Sequence, residues 1–266
     1  MSDKSAIEWT DATWNPLRQF GPGDRWMCQK VSPGCDYCYA SRLNVRFGGS
    51  EYGRVGDRWP GLAMLVDQVL KLPLHWSRPR RVFVCSMTDL FGEWVDEAWV
   101  RRVFDVMLAA PQHSYQVLTK RPRRMAEHLG RTWWTALPEQ GRAHIWLGTT
   151  IELDRYTWRA DYLRSIPAAV RFVSAEPLLD GLPNLNLDGI RWLIAGGESG
   201  GPVERRLDAT SDQSLAWVRS LRDRAIANET AFFFKQWGGS TAKSGGRLLD
   251  GRTWDEYPTA REAVPA

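Results

Sequence analysis

Three of the chain's four cysteines fall close together, as Cys28-x6-Cys35-x2-Cys38. Thiolates are soft ligands that suit zinc and iron–sulfur clusters. Pro33 and Gly34 allow the sharp turn that would bring Cys28 back toward Cys35 and Cys38. A structural zinc site takes four ligands. The four histidines, His75, His113, His128 and His144, all stand far along the chain, and Cys85 is the one remaining thiol. Three cysteines on a [4Fe–4S] cluster instead leave one iron open, which the amino and carboxylate groups of S-adenosylmethionine (SAM) can chelate. Three inert buried cysteines, and a zinc ion with a distant fourth ligand, are the competing readings.

A fold must bring such a loop to a cavity. From about residue 80, short apolar runs alternate with helical patterns. The runs are 81–85, 115–119, 145–149, 171–175, 192–196 and 231–235. None alternates cleanly between polar and apolar, which marks strands buried on both faces, as in a parallel sheet. Helical spacing appears at Leu62, Leu65, Val66, Val69 and Leu70, and again at Val100, Val103, Phe104, Met107 and Leu108. A further helix is expected from Ser211, burying Leu215, Val218, Leu221 and Ala225. Six β-then-α units predict an α/β fold, a (β/α) barrel or partial barrel, with a doubly wound open sheet as the rival. A strand near 7–14 adds to the sheet. Loops are expected at 20–25, 48–61 and 238–246.

In α/β folds, function gathers where strands end. Every run here ends in hydroxyls, charges or glycines. Ser86, Thr149, Glu176 and Glu198 are the candidates to hold a ligand, since a carboxylate can take a ribose diol or an amino group. Gly196 and Gly197 allow backbone to approach a ligand closely. Lys120, Lys235 and Gln236 are expected on the substrate side, as catalytic candidates.

The chain has 266 residues, a net charge of +4 and fifteen tryptophans. The mild positive balance permits a polyanionic partner without requiring one. Arg78, Arg80 and Arg81, then Lys120, Arg121, Arg123 and Arg124, then Arg205 and Arg206, form basic clusters near Trp76, Trp94, Trp133 and Trp134. Such interleaving can hold phosphates and stack bases, although charge runs are also common on solvated helix faces. No apolar stretch is long enough to span a bilayer, and the first residues are too polar for a secretory signal. A cytoplasmic protein with no membrane partner is expected, whose clustered cysteines bind metal rather than form disulfides.

The residues also resemble a family. Radical SAM enzymes carry C-x3-C-x-aromatic-C after the first barrel strand, and Tyr37 stands here at the aromatic position. The first gap departs from that pattern, with six residues in place of three. The segments 7–16 (IEWTDATWNP), 32–40 (SPGCDYCYA), 174–178 (SAEPL), 196–200 (GGESG), 233–238 (FFKQWG) and 249–254 (LDGRTW) are similar to a phage and bacterial three-cysteine-motif, radical-SAM-like family of unknown function. Spore photoproduct lyase, a DNA-repair enzyme, resembles it more distantly. The resemblance implies one radical-SAM-like domain over 1–266, with a cysteine loop at 26–40 and a C-terminal extension at 238–266. It implies a [4Fe–4S] cluster on Cys28, Cys35 and Cys38, SAM with its adenine against Tyr37, and a reductant for the cluster. The expected activity is SAM cleavage that modifies or repairs a base or nucleotide in DNA or RNA, with a partner protein as a further possibility. A non-catalytic zinc protein that binds nucleic acid, with Cys85 as fourth ligand, and a radical SAM enzyme acting on a small metabolite remain the alternatives.

Overall fold

The computed structural model describes residues 5–21, 25–54, 57 and 62–259. Seven strands form one sheet in chain order. They are β1 (Ala12–Trp14), β2 (Arg81–Val84), β3 (Ser114–Thr119), β4 (Ile145–Thr150), β5 (Arg171–Ala175), β6 (Trp192–Gly196) and β7 (Ala231–Gln236). Every neighbouring pair is parallel. Parallel strands need crossovers, and these carry helices α1 (Tyr39–Arg46), α2 (Glu97–Ala109), α3 (Pro122–Leu129), α4 (Arg159–Arg164) and α5 (Asp212–Ala227).

The sheet curls. Trp9 touches Phe83 on β2 and Trp192 on β6, at ring-centroid distances of 4.7 and 6.1 Å, although those strands are far apart in the sheet order. Phe172 and Phe233 complete this inner cluster. The architecture is therefore a partial barrel whose hollow is filled by aromatic rings. Gly148 on β4 is required by that filling, because a Cβ there would lie 2.4 Å from the Phe172 ring.

The larger core lies outside the sheet, under the helices. The α2 spacing holds as expected, burying Val100, Val103, Phe104 and Met107, with Asp96 capping the helix through the Ala98 N–H. Ser211 is the N-cap of α5 rather than its first residue, and Val218, Leu221 and Ala225 are buried, whereas Leu215 is half-buried.

Four expectations need correction. The 62–70 spacing does not make one helix. Ala63–Leu65 pairs antiparallel with Leu17–Gln19, and only Asp67–Leu70 is helical. A short uncapped helix is marginal alone, and the neighbouring strand offers backbone partners instead. Nor does every unit contain a helix. The 176–191 connection from β5 to β6 holds Pro177, Gly181, Pro183 and Gly189 and stays irregular. The 81–85 run also forms a strand, β2, only as far as Val84, and Cys85 turns away at φ 57°. Of the expected loops, 22–24, 55–56 and 58–61 lie outside the described residues. Gly53–Arg54 is not loop but pairs with Gln29–Lys30.

The C-terminal extension, described to residue 259, packs as part of the barrel. Phe234 donates its N–H to the Trp254 carbonyl (2.8 Å) and Glu256 donates to the Phe232 carbonyl (3.2 Å). This antiparallel strip extends β7 toward β1. Tyr257 then spans the gap: its ring lies 5.3 Å from Trp192, Arg81 sits 4.2 Å above it, and its hydroxyl donates to the Glu8 carbonyl (3.4 Å). No helix among the described residues is long and apolar enough to cross a membrane.

Gly148→Ala should lower unfolding free energy by about 1–3 kcal/mol, the usual cost of overpacking a filled core. Urea denaturation checks this, and an unchanged midpoint would contradict the close Gly148–Phe172 contact.

Candidate functional site

The chain leaves β1 and enters the cysteine loop. A single 3-10 turn, Pro33–Cys35, bends it, with Cys35 donating its N–H to the Ser32 carbonyl (2.9 Å). Cys38 precedes α1 directly. Burial pushes the Cys28 thiol far up; the Asp89 charge adds to this, Arg121 opposes it, and Cys38 and Cys35 raise it further. Burial raises Cys38 as well, and Cys35 is again a charged neighbour. The three thiols thus share one electrostatic environment. Among the described residues, no three His, Cys, Asp or Glu side chains converge as ligands of a single ion would. Cys85 is buried in the core, with Asp89 as the charged neighbour that raises it after burial itself.

Asp89, beyond the end of β2, organises the cationic side of the loop. It accepts from the Thr119 hydroxyl (2.7 Å), the Phe91 N–H (3.0 Å), the Lys120 N–H (3.1 Å) and the Arg121 guanidinium (3.1 Å). Arg121 also donates to the Gln29 carbonyl (3.3 Å), beside Cys28, and lies 4.8 Å over Trp94. Burial disfavours the Lys120 ammonium, but Cys35, Glu152 and Cys38 outweigh it and hold its pKa above the ordinary lysine value. Glu152 is wholly buried, pairs with Arg159 (2.9 Å) and lies directly under Gly34, where a Cβ would come within 3.0 Å of its side chain.

The expected strand-end residues divide into two groups. Cys28, Cys35, Cys38 and Lys120 are charged neighbours of one another, and Lys235 pairs with Glu176 (3.0 Å). Glu176 also accepts from Trp9 Nε1 (3.2 Å) and Ser174 (3.3 Å), and its charge reaches Tyr39, whose hydroxyl donates to the Ser86 carbonyl (2.7 Å). Gly196 makes room for this pair, since a Cβ would lie 3.0 Å from Glu176 Oε1.

The other residues have partners within the protein. Thr149 is buried and gives its hydroxyl to the Thr119 carbonyl (3.0 Å). The Ser86 hydroxyl bonds Asn15 (3.3 Å). Gln236 donates to the Gly197 carbonyl (3.2 Å) and to Ser199 Oγ (2.6 Å), while accepting from the Lys243 N–H (3.0 Å). Gly197 meets the backbone of Gly238, at 2.4 Å from where its Cβ would be. Glu198 is buried and held by Arg205 at 2.7 and 2.9 Å. Tyr37 is exposed, with the Arg205 guanidinium 5.1 Å over its ring.

The basic clusters do not form one open face. Arg121 points inward to Asp89, Arg124 pairs with Glu93 and Arg81 with Asp11. Arg206 donates to the Gly201 carbonyl (2.8 Å). Trp134 is buried. Arg78 and Arg80 line a cavity of about 520 Å³ with Glu8 and Lys243, away from the thiols.

Sequence reasoning missed Asp89, Glu152, Arg159 and Tyr39 as parts of this region. Asp89 and Glu152 stand just past strand ends and carried a readable signal; the Arg159 pairing depends on tertiary packing. Asp89→Ala should cost about 3–5 kcal/mol, because it strands the buried Arg121 charge, and Asp89→Asn should cost less. Equilibrium urea unfolding measures both, and near-wild-type stability for the alanine variant would contradict the assigned network.

No curated protein and no solved structure matches the chain. One family model matches residues 4–258, described as a protein of unknown function, DUF5131. With nearly the whole sequence covered, the chain belongs to the DUF5131 family.

Proposed function

We propose that this protein is a radical SAM enzyme, with Cys28, Cys35 and Cys38 holding a [4Fe–4S] cluster and SAM bound at its open iron. The observation that carries this reading is a three-cysteine loop that follows the first strand of a curled parallel sheet, turns at Pro33–Cys35, runs from Cys38 straight into α1 and is held beside Cys28 by the Arg121 bond to the Gln29 carbonyl. In such a cluster each thiolate binds its own iron, so the sulfurs need not converge on one point. Cys85 sits in the main core whereas Cys28 and Cys38 pack against a separate cluster of Trp26, Ala40, Tyr52 and Met87, which favours three thiol ligands over a four-thiol zinc site. When bound, the reduced cluster would supply the electron that splits SAM into methionine and a 5′-deoxyadenosyl radical.

The residues around it have definable tasks. Lys120 and Arg121 offset the negative charge of the thiolates. Trp9 and the inner rings fill the inner face of the sheet and exclude water from it. The Glu176–Lys235 pair presents fixed opposite charges beside Tyr39, suited to orient a polar ligand. Hydrogen abstraction from a base or nucleotide of DNA or RNA is the reaction class we favour, on the positive net charge and the exposed rings of Tyr37 and Tyr39 beside the cysteine loop.

Anaerobic reconstitution should give about four irons per chain, each thiolate serving one and SAM the last. Dithionite and SAM should then yield 5′-deoxyadenosine, and a Cys28/Cys35/Cys38 triple-alanine variant should give neither iron nor product. Stoichiometric zinc without iron or SAM cleavage would sink the proposal. Oligonucleotide binding should weaken steeply with salt; no binding at low salt would remove nucleic acid as the substrate.

A further inference from the structure

The segment 196–200, read from sequence as a ligand loop, makes different contacts. We propose that its turn, Gly197 to Gly200, is a receptor for two arginines that grip the cysteine loop on both flanks, making Arg205 and Arg42 positioning residues for the thiol site. The functional consequence rests on the cluster reading above, whereas the contacts themselves do not.

Arg205 grips the leading flank. It holds Glu198 with two bonds, Nε to Oε2 (2.7 Å) and Nη2 to Oε1 (2.9 Å). The same Nη2 donates to the Pro33 carbonyl (2.9 Å), two residues before Cys35. Its guanidinium also covers Tyr37, between Cys35 and Cys38. Arg42 grips the trailing flank. It stands one helical turn beyond Cys38 and donates to the Ser199 carbonyl (2.9 Å). Gly200 has φ +73°, and a Cβ there would lie 2.3 Å from Arg42 Nη1. Gly201 likewise clears Glu198, with its Cβ position 2.2 Å from Oε2. The glycines therefore serve two arginines.

The turn is itself braced from β7. Gln236 donates to Gly197 and Ser199, and Gly200 donates its N–H to the Gly239 carbonyl (2.8 Å). Strain on the cysteine loop thus passes into the far edge of the sheet. A lysine cannot reproduce this grip, because one ammonium lacks the planar fork that holds a carboxylate, a carbonyl and a ring together.

Alkylation of the metal-free, reduced protein with iodoacetamide, read per cysteine by peptide mass spectrometry, tests the proposal. Arg205→Ala and Glu198→Gln should speed alkylation of Cys35 and Cys38 about ten-fold, the scale of one lost charge-assisted hydrogen bond. Arg42→Ala should act mainly on Cys38, Arg205→Lys should not restore the wild-type rate, and Cys85 should stay slow throughout. In reconstituted protein the same variants should release iron faster to a chelator. Circular dichroism checks the fold, and Glu198→Gln carries the test where Arg205→Ala unfolds. Unchanged rates at Cys35 and Cys38 in folded variants would overturn the proposal. Wild-type protein that takes up no iron would remove the cluster reading, while the alkylation rates would still decide the grip.

Discussion

A parallel sheet that curls without closing has an inner face and two free edges, and both must be covered. Trp9 plugs the inner face between β2 and β6, and the strip ending in Tyr257 covers the edge of β7. Aromatic rings suit this task because each buries a large area with few rotatable bonds. Trp9 donates to Glu176, so the same indole that fills the barrel orients the carboxylate of the Glu176–Lys235 pair.

The thiol loop is an electrostatic problem. Buried thiols resist ionisation, and a metal ligand must be a thiolate. Lys120 and Arg121 supply positive charge on one side. Buried cations are costly in turn, and Asp89 and Glu152 balance them. The resulting layers run from carboxylate to cation to thiol, each making the next tolerable. On the opposite side, Glu198 and Arg205 repeat the pairing of buried acid with arginine.

The parallel sheet was legible because strands buried on both faces read as unbroken apolar runs, and six of its seven strands fall on those runs. The cysteine loop was legible from spacing and Pro33-Gly34. The strand-end polar residues Thr149, Gln236 and Glu198 have protein partners, Thr119, Ser199 and Arg205, which sequence distance conceals. The segment 62–70 failed for a related reason: its helical spacing was outweighed by a strand, Leu17–Gln19, that only the tertiary fold brings alongside.

The most direct test is electron paramagnetic resonance of the anaerobically reconstituted, dithionite-reduced protein, recorded before and after SAM is added. The account predicts the signal of a reduced [4Fe–4S] cluster whose shape changes with SAM, as ligand binding at an open iron requires. No such signal, or one that SAM leaves unchanged, would contradict it.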